Sequence, residues 1–220
     1  MSLPHHRPDG VVVSMNTRRV PIVLLAAACS ATGEATPDTT TPTSPPAVFA
    51  IDLWPGEGIP VMQAMRPSLP LRVAPDLASP VVDVLGARVG ERVPFDSTRL
   101  QTVVAGNIVV TDTLSITGRN LGPVRHLSRG QYYGSRGDTS IVLAPGASME
   151  FLQHRAEGTC FIRIGGNVFD AGRCPVLDSE RVRVEHEPVT RWWIGLRGQD
   201  DHFGWVLVSD TTIKSVRREF

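Results

Sequence analysis

The run Arg191-Trp192-Trp193-Ile194-Gly195-Leu196-Arg197 is where residue types most directly suggest chemistry. Successive side chains on a strand point to opposite faces. Trp192, Ile194 and Leu196 therefore share one face, the natural core face, and Trp193, Gly195 and Arg197 share the other. Trp193 is expected outward, beside a glycine that leaves its ring uncovered, with Arg197 one step along. Trp205 lies in the next apolar run, and Tyr132 and Tyr133 form a second aromatic pair. Exposed rings flanked by polar groups can grip extended peptides or glycans. The candidate ligand-binding residues are thus Trp193, Arg197, Trp205, Tyr132 and Tyr133. The competing reading is that Trp193 and Trp205 close the core of a small barrel.

Other reactive residue types carry less. Cys160 is a candidate nucleophile, and His154 is the nearest upstream histidine. A thiolate needs a base within hydrogen-bond reach. The L,D-transpeptidase signature sets histidine-glycine directly before its cysteine, whereas Gly158-Thr159 stands there in this chain. Glu185-His186-Glu187 and Asp200-Asp201-His202 are the densest ligand-type clusters. Strand neighbours in the first point apart, the second falls in an expected turn, and neither has the spaced Cys/His pattern of a zinc site. No catalytic residue, metal site or cofactor is assigned. The 22 basic residues balance 22 acidic ones, which argues against a nucleic-acid partner.

The N-terminal region carries an address. Arg18-Arg19, the apolar run from Val20 to Ala28 and then Cys29 have the three-part form of a secretory signal, with the start expected at Met15. The run is too short to span about 30 Å of hydrocarbon. Leu25-Ala26-Ala27-Ala28-Cys29 resembles a bacterial lipoprotein signal, which implies lipid on Cys29 and a membrane tether there. Between Ser30 and Pro46, 12 of 17 residues are Ser, Thr or Pro, the composition of an extended linker. With Cys29 lipidated, Cys160 and Cys174 remain as a pair able to bond in an oxidising compartment. The segment between them reads as two strands around Gly165-Gly166, so the bond would close a hairpin base.

The remainder reads as all-β. Short apolar runs recur at Val81–Leu85, Thr102–Val104, Ile108–Val110, Ile141–Leu143, Phe161–Ile164, Val182–Val184, Trp192–Leu196 and Trp205–Val208. Turn residues punctuate them, and helix should be limited to single turns. An internal echo aligns Gly90, Val93, Phe95 and Arg99 with Gly146, Met149, Phe151 and Arg155. Leu69-Pro-Leu71-Arg72-Val-Ala-Pro75, with Ser79-Pro-Val81-Val82 and Gly90-Glu91-Arg-Val93 after it, resembles the opening of bacterial SH3-like domains. Trp193-Ile-Gly-Leu196-Arg197 and Gly204-Trp205-Val206 resemble that family's closing hairpin. The resemblance implies two small SH3-like barrels in tandem. The expected organisation is a signal region at 1–29, a linker at 30–46, a first module at 47–135 and a second at 136–220. A single split module with a long insertion explains the same matches; the echo inside the would-be insertion favours two.

The functional expectation is a non-catalytic exported lipoprotein of the bacterial envelope, periplasmic or at the cell surface. It would bind or scaffold cell-wall glycan, cell-wall peptide or an envelope protein. The alternative is an envelope enzyme acting on cell-wall material, with Cys160 as nucleophile.

Overall fold

Alternating apolar residues need a partner layer on one face, and here the strands supply it to one another. The computed structural model describes residues 47–216 except 57, 135, 136 and 157. The signal region, Cys29 and the linker lie outside the described residues, which all fall within one unit, Thr40–Phe220. The first sheet contains β1 (Phe49–Ile51), β3 (Ser68–Arg72), β4 (Val81–Gly86), β5 (Ser97–Val104), β8 (His126–Leu127), β14 (Val189–Arg197) and β15 (Phe203–Leu207). Their order is β4-β3-β15-β14-β5-β1-β8. The second contains β6 (Gly106–Val110), β7 (Leu114–Gly122), β9 (Asp138–Leu143), β10 (Ser148–His154), β11 (Cys160–Ile164), β12 (Asn167–Ala171) and β13 (Val182–His186). Its order is β13-β6-β10-β11-β12-β7-β9. A separate ribbon pairs β2 (Val61–Ala64) with β16 (Ile213–Val216). The helical pieces are α1 (Arg129–Gly134) and a 3-10 turn at Pro175–Leu177.

Each apolar run expected from sequence falls in a strand, the last extending one residue past β15. The protein is all-β, as expected. Among the described residues no sheet closes into a barrel. The expected boundary between 135 and 136 does not separate two sheets, because β7 on one side of it pairs with β9 on the other. Instead the second sheet is drawn from 106–186, an interval that also returns β8 to the first sheet, and the other first-sheet strands lie before or after that interval. The segments resembling an SH3 opening and closing are neighbours in the first sheet, with Trp205 opposite Arg72. Of the echo, the two turn glycines match in conformation: Gly90 has φ 84° and Gly146 has φ 86°.

The two sheets share a bent ribbon. β5 runs into β6 with only Ala105 between them, and β13 runs into β14 across Glu187-Pro188. Val104 lies opposite Val189 on one side of the bend, and Asn107 opposite His186 on the other. A Cβ at Gly106 would stand 2.7 Å from the His186 carbonyl oxygen and 2.9 Å from the Pro188 nitrogen. Glycine is therefore required for the close backbone approach at the bend.

Three cores fill this frame. Met62, Leu69, Leu71, Ile194, Leu196 and Val206 form one beside the first sheet. Phe151, Cys160, Ile162 and Phe169 belong to another, on one face of the second sheet. Leu152, Phe161 and Val168 leave the same strands for a third core shared with Phe49, Ile51 and Leu100 of the first sheet. An irregularity in β10 between Phe151 and Gln153 accompanies three successive buried residues there, a pattern simple alternation forbids. The central strands of the second sheet are thus covered on both faces.

Cys160 and Cys174 are bonded, with Cα atoms 5.1 Å apart, inside the second-sheet core. Cys160 opposes Ala171 at the base of the β11–β12 hairpin. Gly165 and Gly166 both have positive φ, as a two-residue type I′ turn demands. Removing the crosslink as Cys160→Ala/Cys174→Ala should lower stability by about 3 kcal/mol, the chain-entropy value for such a loop. Denaturant unfolding of the double variant against the oxidised wild type measures this.

Candidate functional site

A short helix can present side chains only if something fixes it, since isolated turns do not persist in water. α1 is held first by local hydrogen bonds. Ser128 Oγ accepts from the Gln131 N–H at 3.3 Å, and Gln131 Oε1 accepts from the Ser128 N–H at 3.0 Å. This reciprocal pair is a capping box. Next, the Tyr132 side chain turns inward, 1% exposed, with its ring edge-on to Phe161. Its hydroxyl donates to Asp170 Oδ2 at 2.9 Å.

Asp170 is a buried carboxylate, and a buried charge needs partners. Arg119 Nη2 donates to it at 2.6 Å and Arg155 Nη1 at 3.3 Å. Both guanidiniums also stack on the Tyr132 ring, 4.4 and 5.1 Å from its centroid. Burial, then the adjacent Asp170 charge and its hydrogen bond, push the Tyr132 hydroxyl up to about 12. The two arginines oppose that rise without cancelling it.

With Tyr132 anchored inward, its neighbours on α1 face out. Tyr133 is 63% exposed and Arg129 is exposed. Between them and Trp54 runs a stacked series: the Arg129 guanidinium lies 5.3 Å from the Trp54 ring and 5.8 Å from the Tyr133 ring. Trp54 is positioned because β1 pairs in parallel with β8 just before α1, and the Gly56 N–H donates to the Arg155 carbonyl. Trp54 lines a groove of about 350 Å³ together with Tyr133, Arg155 and Thr159. It also lines a cavity of about 240 Å³ together with Asp52, Asp96, Arg99, Arg129 and Trp205. There Arg99 Nε donates to Asp52 Oδ1 at 2.7 Å, and its guanidinium lies 5.1 Å over Trp205. His126 Nε2 is 3.0 Å from the same Asp52 oxygen. Desolvation would raise the Asp52 carboxyl, but the hydrogen bonds from Arg99 and His126 outweigh it and hold the group below its ordinary value.

Neither a protein-family model, a curated protein nor a solved structure matches this chain.

Of the residues singled out in sequence, Trp205 and Tyr133 line the two hollows beside Trp54. Tyr132 braces them from inside. Trp193 departs from expectation: it is 1% exposed, not outward and uncovered. Its Nε1 donates to Gln101 Oε1 at 2.9 Å, while Gln101 Nε2 donates to the Pro75 carbonyl, tying the β3–β4 loop to that face. The space over Gly195 is filled as well, since a Cβ there would meet the Phe203 ring at 2.4 Å. Alternation assigned the face correctly; loop and ring cover it. Arg197 lies apart from the site, donating to the Asp201 carbonyl at 3.0 Å in the β14–β15 turn.

The acidic clusters have local work. Asp83 comes close to Asp200 and His202. Desolvation would raise its carboxyl, yet backbone N–H groups of Val84, Asp200 and His202 donate to it and keep it low. Asp83 is thus the anchor of the β14–β15 turn, a role invisible in sequence. Glu185 accepts from Asn107 and Arg183. Cys160, the alternative nucleophile, has its sulfur bonded to Cys174.

Sequence reasoning missed Trp54, Arg129, Arg99, Asp52 and Asp170. The capping box at Ser128-Arg-Gly-Gln131 was a usable signal for α1. Because the folded Tyr132 value lies above the ordinary 10.0, its stabilisation is complete below pH 10 and is lost as pH rises toward 12. Tyr132→Phe should cost about 1.5–3 kcal/mol at pH 8, as for a hydrogen bond to a charged group. The gap between wild type and variant should narrow at pH 11 in denaturant unfolding.

Proposed function

We propose that this chain is an exported, non-catalytic binding protein of the bacterial envelope, tethered by lipid on Cys29 and contacting cell-wall glycan or peptide, or an envelope protein. The observation that carries the reading is the Trp54–Arg129–Tyr133 series, half-buried at Trp54 and exposed at Arg129 and Tyr133, with a hollow lined by Trp54 and Tyr133 and another lined by Trp54 and Arg129. Stacked aromatic and guanidinium surfaces bind ligands by ring contact and edge hydrogen bonds without any reacting group. The disulfide supports an oxidising compartment. It also removes the Cys160 thiolate that the enzymatic alternative requires. Adjacency of β3, β4, β14 and β15 in one sheet supports an SH3-like relationship for that part of the chain. The binding surface now proposed lies elsewhere, where β1 and α1 meet.

Cosedimentation of the mature protein with purified peptidoglycan sacculi tests the wall-binding reading. Retention is expected, with substantial loss in Trp54→Ala. Absence of retention removes the wall as ligand, and turnover of wall fragments overturns the non-catalytic reading. Mass spectrometry of the mature protein should find lipid on Cys29.

A further inference from the structure

Charges in the cavity beside Trp54 fall into two groups. Asp52 is engaged, accepting from Arg99 Nε at 2.7 Å and lying 3.0 Å from His126 Nε2. Arg129 and Asp96 line the same cavity without that engagement. Among the described residues, neither side chain has a hydrogen bond or ion pair. Arg129 is stacked on Trp54 and Tyr133, which fixes the plane of its guanidinium and leaves its N–H edge for a ligand. Among the described residues the Arg99 terminal nitrogens likewise have no hydrogen bond, although its Nε is used. Two guanidiniums with spare donors therefore share one hollow with one spare carboxylate.

That arrangement selects by charge pattern. A carboxylate on the ligand would be taken by the arginine donors, whose planar geometry suits it. A phosphate or polyacid would bring further negative charge against Asp96. A ligand that also carries an ammonium gives Asp96 a partner. The volume, about 240 Å³, is at the small end for a ligand pocket, which suits an end group more than a length of polymer. Trp205 and Phe95 supply apolar wall between the charged groups.

We infer that this cavity binds a zwitterionic amino-acid or short-peptide group, its carboxylate on Arg129 and Arg99 and its ammonium on Asp96. The inference rests on the binding reading above and names the chemistry of its ligand. It places recognition on β1, β5 and α1 and makes Asp96 a specificity-determining residue.

The test uses the mature full-length protein with ¹⁵N-labelled tryptophan, following the indole signals. The probes are L-alanyl-L-alanine, free alanine, the N-acetylated dipeptide, the dipeptide amide and inorganic phosphate. Saturable shifts of the Trp54 and Trp205 signals are expected with a zwitterionic probe; comparing dipeptide with free alanine tells a peptide end from a free amino acid. Either blocked dipeptide should bind about tenfold more weakly or worse, as loss of a charge-assisted contact implies. Arg129→Gln should lose affinity for the carboxylate-bearing probes. Asp96→Asn should lose the preference for a free ammonium. Equal binding of blocked and unblocked forms, tighter binding of phosphate, or no shift with dipeptide or alanine would overturn the inference. If sacculi still retain the protein in that event, the general binding reading stands; if they do not, both fall.

Discussion

A carboxylate placed out of reach of water must be surrounded by donors, and in this protein that requirement falls on Asp170. Its partners come from three separate parts of the chain: Arg119 on β7, Tyr132 on α1 and Arg155 just beyond β10. Satisfying one charge therefore fixes the relation of three elements. The short helix has few other means of staying in place. Once Tyr132 is drawn inward, Arg129 and Tyr133 have only the outward direction, and Trp54 completes the surface they form.

The bent ribbon gives that surface its backing. β5 and β14 belong to the first sheet, and their continuations β6 and β13 to the second. The third core, with Phe49, Leu100, Leu152 and Phe161, sits where the two sheets meet. Asp52 follows β1 and Arg99 lies on β5, so their ion pair links neighbouring strands at the rim of this core. The two arginines of the sequence echo have comparable structural positions in one respect: each pairs with an aspartate and stacks on an aromatic ring. Arg99 does so with Asp52 and Trp205, and Arg155 with Asp170 and Tyr132.

Strands were legible in the sequence because their apolar residues are β-branched or alternate, as in Val81–Leu85 and Trp192–Leu196. The disulfide was legible from cysteine parity and the Gly165-Gly166 turn. What sequence could not provide was the sheet to which each strand belongs, since pairing of β5 with both β1 and β14 joins distant segments. Trp193 illustrates the same limit. Its face follows from alternation, but its covering depends on Gln101 and Pro75, far away in sequence. The Asp170 cluster is more hidden still, because Arg119 and Tyr132 lie 51 and 38 positions from it. Nothing local in Phe169-Asp170-Ala171 distinguishes that carboxylate from a solvated one.

Hydrogen exchange on Asp170→Asn tests this anchoring most directly. The Tyr132 amide, which donates to the Ser128 carbonyl at 2.9 Å, should lose protection selectively, while amides in β5 and β14 keep theirs. Unchanged protection at Tyr132, or an equal loss across both sheets, would contradict the idea that this one buried charge holds the helix in place.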